Sequence, residues 1–167
     1  MKKLISISLF LLPLFILSQE NFTAKTFADY SGYQEKSLST RRFKHADIQP
    51  LIEGLKKEPG FGVKKLGTSI EGRSISMISL GTGKVTVLLW SQMHGDESTA
   101  TMAIFDLMNY FKSNKTLLNK VNLHFIPMLN PDGAEQFNRR NAIGIDINRD
   151  AVRLQSPESR ILKAVTR

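Results

Sequence analysis

The sequence contains no cysteine, so it forms no disulfide, builds no thiolate metal site and carries no lipid on sulfur. A domain of 167 residues can stand on its hydrophobic core without such cross-links. Aromatic side chains are scarce, and the basic ones form no long block interleaved with them, so nucleic acid is not expected as a partner. The chain also lacks an apolar run long enough to span a membrane. Its one extended apolar run, Leu4 to Leu17, follows Lys2 and Lys3 and precedes Ser18. That is the layout of an export signal rather than of a membrane span. Residues 1–18 are therefore read as a signal peptide, and the product is expected to be secreted or periplasmic, without stable membrane insertion. Removing Lys2 and Lys3 lowers the formal charge of +8 by two, and the remaining surplus lies in short groups such as "RRFK" and "GLKK" that read as solvated faces.

The rest of the chain is organised as α/β. Residues 19–42 are a polar, irregular lead-in, and residues 43–167 read as domain. "HADIQPLIEGLKKEPG" predicts a helix with Ile48, Leu51, Ile52 and Leu55 on one side, Pro50 in its first turn and Pro59–Gly60 ending it. Three strands are predicted at about Gly62–Leu66, Ser74–Leu80 and Lys84–Trp90, separated by turns at "EGR" and "GTGK". The consecutive apolar residues Val87 to Trp90 suit a strand covered on both faces. From Glu97 to Phe111 the period becomes helical, "VNLHFIPMLNP" is a fourth strand, and "NPDG" turns out of it. "SPESRILKAV" starts another helix, with Ser156 as N-cap and Pro157 at its first position. Four strands are few for a covered α/β sheet. The reading therefore expects the N-terminal part of a longer catalytic domain, with an uncovered sheet edge.

Ligands of α/β sheets bind at the carboxyl ends of strands. "SQMHGDEST" follows the third strand there and sets His94 three residues before Glu97. Imidazole nitrogen and carboxylate oxygen are good zinc donors, and a catalytic zinc takes three protein ligands with one open position. A glutamate in a first helical turn is also ordinary capping, so the pair alone is a weak signal. His45 and His124, the remaining histidines, lie in no strand-end loop. After the fourth strand comes "FNRRNAIGIDINRD", which gathers Arg139, Arg140 and Arg149 among asparagines. Guanidinium grips a carboxylate with two parallel hydrogen bonds. Pairing of these arginines with Asp146 and Asp150 in a solvated loop is the competing reading.

"HGDE", "NPDG" and "GIDINRD", in this order and spacing, resemble the zinc carboxypeptidases of the carboxypeptidase A-like (M14) family. "RLQSPESR" is similar to the segment that follows in bacterial members. The resemblance implies a mixed sheet with helices on both faces, probed at the carboxyl ends of its central strands by substrate. It implies Zn2+ as cofactor, with His94 and Glu97 as two of its ligands. It implies Arg139 as the residue that polarises the scissile carbonyl, with Arg140 as rival, and Asn148 and Arg149 as the clamp on the substrate's terminal carboxylate. The expected substrate is then a peptide or peptide-like molecule with a free C-terminal carboxylate, shortened by one residue at a time.

The family's third zinc ligand, general-base glutamate and substrate-capping tyrosine lie in its later half, and none has a counterpart here. This segment alone is therefore expected to hydrolyse little or nothing. Asp96 stands between the ligands where digestive members carry an arginine, which weakens transfer of their extended subsite. Two other functions share the same frame: a cell-wall peptide amidase or deacylase, and a non-catalytic module that binds carboxylates through Arg149.

Overall fold

The computed structural model describes residues 23–166. The expected signal peptide lies outside them. The chain divides into two compact units, one up to Gln34 and one from Glu35 onward. In the first, residues 23–29 are helical and run into a 3-10 turn, Tyr30–Gly32, where an irregular lead-in was expected.

The second unit is built on one four-stranded mixed sheet. Its strands are β1 (Phe61–Thr68), β2 (Ser74–Leu80), β3 (Val85–Trp90) and β4 (Val121–Ile126), in the spatial order β1-β2-β4-β3. β1 and β2 form an antiparallel hairpin, and β2 pairs antiparallel with β4. β3 pairs parallel with β4, Val85 opposite Val121 through Trp90 opposite Ile126. Parallel neighbours need a crossover. Helix α2 (Thr99–Ser113) supplies it, with α1 (His45–Leu55) preceding the sheet. Two short elements follow β4, α3 (Pro131–Gln136) and the 3-10 turn Ile147–Arg149, and then α4 (Pro157–Val165).

Helices cover both faces of this sheet. On one, Ile48, Ile52 and Leu55 of α1 and Ile104, Phe105, Met108 and Phe111 of α2 pack with Ile78, Leu80, Leu123 and Phe125 from the strands. Their spacing of three and four residues is the helical stripe anticipated for both segments. On the other face Ile75, Ile126, Leu129 and Ile147 are buried, and Ile161, Leu162 and Val165 of α4 lean on them. Burying each such side chain contributes about 1.5–3 kcal/mol. Leu38, from the stretch expected to be polar lead-in, is also in the core, 2% exposed.

Three local expectations need correction. Among the described residues β3 is an edge strand, paired only with β4, and its two faces are covered only in part. Leu88 and Leu89 face the two clusters, while Val85 and Trp90 are 60% and 44% exposed. Pro50 lies in the second turn of α1 rather than the first, since the helix already begins at His45. "NPDG" does not merely turn: Asn130 caps α3, its Oδ1 accepting from the Gly133 N–H at 2.9 Å. Ser156 caps α4 as expected, accepting from the Ser159 N–H at 3.1 Å.

Candidate functional site

Parallel pairing puts the carboxyl ends of β3 and β4 side by side, and the backbone ladder continues past both. Ser91 donates to Ile126, Leu129 donates back to Ser91, and Asn130 donates to Gln92. The loop after β3 is thus fastened to the loop after β4. Asn130 adds side-chain bonds from its Nδ2 to the carbonyls of Met93 and Arg139, both 3.3 Å long. Glycine permits the closest approach: a Cβ on Gly95 would strike the backbone of Gly133 in α3.

The residues between Ser91 and Ser98 form this loop, and α2 begins only at Thr99 with Ser98 as N-cap. Glu97 therefore stands ahead of the helix rather than opening it. The His94 side chain is 9% exposed and that of Glu97 is 62% exposed, so one donor is anchored and the other reaches out. His94 Nδ1 and Glu97 Oε1 lie 3.0 Å apart.

On the far side of the ring, His94 Nε2 is 3.2 Å from Asp146 Oδ1. The carboxylate accepts, so Nε2 carries the proton and Nδ1 presents its lone pair, a tautomer assigned here from the partners. Two lone-pair donors 3.0 Å apart repel unless a positive charge serves both. Arg139 Nη1 does so here, 3.2 Å from Nδ1 and 3.5 Å from Glu97 Oε1. This donor set fits two positions of a zinc site: a ring nitrogen with its other N–H held by a carboxylate, plus a glutamate oxygen on the same point. Among the described residues no group of three or more His, Cys, Asp or Glu side chains is arranged to hold a metal ion.

Arg139 also donates through Nε to Asp146 Oδ2 at 3.0 Å, so Asp146 orients both the histidine and the arginine. Burial pushes the Asp146 carboxyl up, but hydrogen bonds from Arg139 and His94 outweigh it and hold the group below its ordinary value. Asp146 also caps the 3-10 turn by accepting from the Asn148 N–H at 3.1 Å. That turn holds Asn148 and Arg149 exposed beside the site. Arg140 is turned elsewhere, its Nη1 donating to the Gly144 carbonyl at 2.9 Å. A cleft of ≈ 410 Å³ lies beside Glu97, lined among others by Arg41, Trp90, Gln92 and Thr99.

His45 and His124 are not part of this group. His45 is half-buried at the start of α1, with Nε2 3.0 Å from the Ser74 carbonyl. His124 is half-buried within β4. The sequence reading did not single out Asp146 as the partner of His94, or Asn130 as the bridge between loops. It also missed Asp132, 1% exposed, which accepts from Ser69 Oγ and Arg73 Nη1, both at 2.7 Å. The only available signal was their place inside the quoted motifs.

Comparison with known proteins bears on the same segment. The zinc carboxypeptidase family model matches residues 50–155. An uncharacterised protein of Zymomonas mobilis is 31% identical over 106 residues, covering 60% of this chain and 28% of that protein. Carboxypeptidase B of Astacus astacus is 32% identical over 78 residues, covering 42% of this chain and 26% of that one. Among solved structures, a metallo-carboxypeptidase from Burkholderia cenocepacia superposes with a TM-score of 0.69 at 26% identity, covering 74% of this chain and 37% of that one. The matched region thus spans well under half the length of these relatives.

Proposed function

Because the chain belongs to the zinc carboxypeptidase family, we propose that it supplies part of the active site of an exported carboxypeptidase that removes C-terminal residues from peptides. The observation that carries this reading is the convergence of His94 Nδ1 and Glu97 Oε1 at 3.0 Å, with the opposite ring nitrogen tied to Asp146. His94 and Glu97 would hold the zinc, and a third donor would come from outside the described residues. When bound, the ion supplies Lewis acidity and an acidified water.

The chain's own groups have separable tasks. Asp146 fixes the His94 tautomer and keeps the ring from turning. Arg139, whose guanidinium already faces the metal pair, donates to the oxygen on which charge develops when the scissile carbonyl is attacked. Asn148 and Arg149, exposed on their turn, hold the substrate's terminal carboxylate. Only a chain end offers a free carboxylate at that distance, which restricts cleavage to the last residue. The general base, like the third donor, would come from outside this segment, so the segment by itself is not expected to hydrolyse peptides. The pattern of residues 1–18 supports export.

The test is to incubate the full-length protein with a peptide carrying a free carboxyl terminus and with its amidated twin, following mass. The free peptide should lose single residues from its end, the amidated one should be spared, and a zinc chelator should stop the reaction. Arg149→Ala should lower kcat/KM by about 100-fold, as expected for losing a charge-assisted pair of hydrogen bonds. Equal cleavage of the amidated peptide, or indifference to the chelator, would overturn the reading.

A further inference from the structure

Gln92 lies two residues before His94 and combines two features that cost free energy. It is a long polar side chain only 3% exposed, and its φ is 49°, in the left-handed region that side chains other than glycine, asparagine and aspartate rarely enter. Its hydrogen bonds account for both. Nε2 donates to the Gly95 carbonyl at 2.9 Å, and Oε1 lies 2.9 Å from Thr101 Oγ1, in the first turn of α2. The Gln92 backbone carbonyl accepts from Asn130 at 3.0 Å. The Thr101 hydroxyl lies between Gln92 Oε1 and the Pro127 carbonyl, 2.7 Å from the latter, and shares its one proton between them, while Ser91 Oγ also donates to Pro127, at 2.5 Å. The opposite amide orientation would set oxygen against the Gly95 carbonyl, so these bonds also fix which end is which.

The consequence is geometric. One end of this amide closes the turn that carries His94, between residues 92 and 95. The other end is fastened to the helix that follows Glu97. Gln92 touches neither donor, yet both lie in the segment whose ends it ties together.

We propose that Gln92 is a positioning residue for the metal pair: its side-chain amide sets the separation of His94 and Glu97 by pinning the Gly95 turn to the first turn of α2. This rests on the reading of His94 and Glu97 as zinc ligands. The left-handed φ is what aims the amide inward at the end of β3, and the buried bonds offset its strain.

Two substitutions in the full-length protein test this. Gln92→Gly removes the amide while relieving the backbone strain, so the fold is kept. Gln92→Glu keeps the length and the acceptor for Thr101 but turns an oxygen toward the Gly95 carbonyl. Zinc affinity is measured by chelator competition, global stability by melting, and loop order by hydrogen exchange of the 91–98 segment in metal-free protein. Both variants should bind zinc about tenfold or more weakly, in the range typical of groups that orient ligands. Exchange should quicken in that segment and stay unchanged in β4, with the melting temperature held. Zinc affinity at the wild-type level in both folded variants would overturn the proposal. So would a loss of affinity that only tracks a general loss of stability, since that marks a merely structural role. His94→Ala separates this inference from its premise. If the wild type binds no zinc, or His94→Ala binds as well, the functional reading falls and takes this one with it. If binding needs His94 but not the Gln92 amide, only this inference falls.

Discussion

Asp146 and His94 are 52 positions apart in sequence, and no local rule connects them. The carboxylate nonetheless decides the chemistry of the ring, because accepting from Nε2 leaves Nδ1 as the donor that meets Glu97. In the sequence Asp146 reads most simply as a counter-ion for nearby arginines, and it is that too, through Arg139 Nε. Both partners hold its carboxyl below the ordinary value. Asp146→Ala should therefore weaken zinc binding by about 10- to 100-fold, measured by chelator competition, because the ring loses both its tautomer and its orientation. Asn130 was hidden for a similar reason. In the sequence its motif reads only as a turn after a strand, and its bonds to the carbonyls of Met93 and Arg139 exist only once two strand ends are adjacent. The His94–Glu97 spacing, by contrast, was legible, since two residues three positions apart in a tight loop can reach one point without any help from distant parts of the chain.

At the scale of elements, periodicity carried most of the reading. The apolar stripes of α1 and α2 and the extent of β2 follow from spacing alone. β3 did not, because a continuous apolar run does not reveal how much of each face is packed over. Its exposed Val85 and Trp90 record incomplete packing over its faces. The close approach of the His94 loop to α3 was equally invisible before the strand ends were placed. A side chain at Gly95 meets the backbone of Gly133 rather than a flexible side chain. Gly95→Ala should accordingly destabilise the protein by about 3 kcal/mol, the upper part of the overpacking range, as read from urea unfolding. The turn into α4 makes a pH-dependent contribution. Burial raises the Asp150 carboxyl, but the backbone N–H groups of Ser156 and Gln155 and the hydroxyls of Ser159 and Ser156 outweigh it and bring its value to about 2. A carboxyl lowered on folding stabilises above its unfolded value and loses that stabilisation as pH falls through its folded one. The contribution, about 2 kcal/mol, is thus present at pH 5 and lost between about pH 4 and pH 2. Unfolding midpoints of wild type and Asp150→Asn should converge across that window.

For the whole molecule, the alternation of strands and helices was sufficient to anticipate an α/β sheet with helices on both faces, and the family resemblance added that the sheet is mixed; "HGDE" and "NPDG" follow β3 and β4, whereas "GIDINRD" follows α3 and no strand. The details that depend on packing between loops were not legible. The matched region spans 37% of the Burkholderia cenocepacia chain, so the account divides the labour. On the proposed function, these residues would bring two metal donors, the arginine that faces them and the carboxylate clamp, and the third donor and the base would come from outside the described residues. The central claim is that His94 and Glu97 hold zinc in the full-length protein. The most direct measurement is anomalous diffraction at the zinc edge from crystals of that protein. The account predicts a peak bonded to His94 Nδ1 and a Glu97 carboxylate oxygen at about 2.0–2.2 Å, with Nε2 still on Asp146. A zinc peak bound elsewhere, or one held through His94 Nε2 in place of the Asp146 contact, would contradict it.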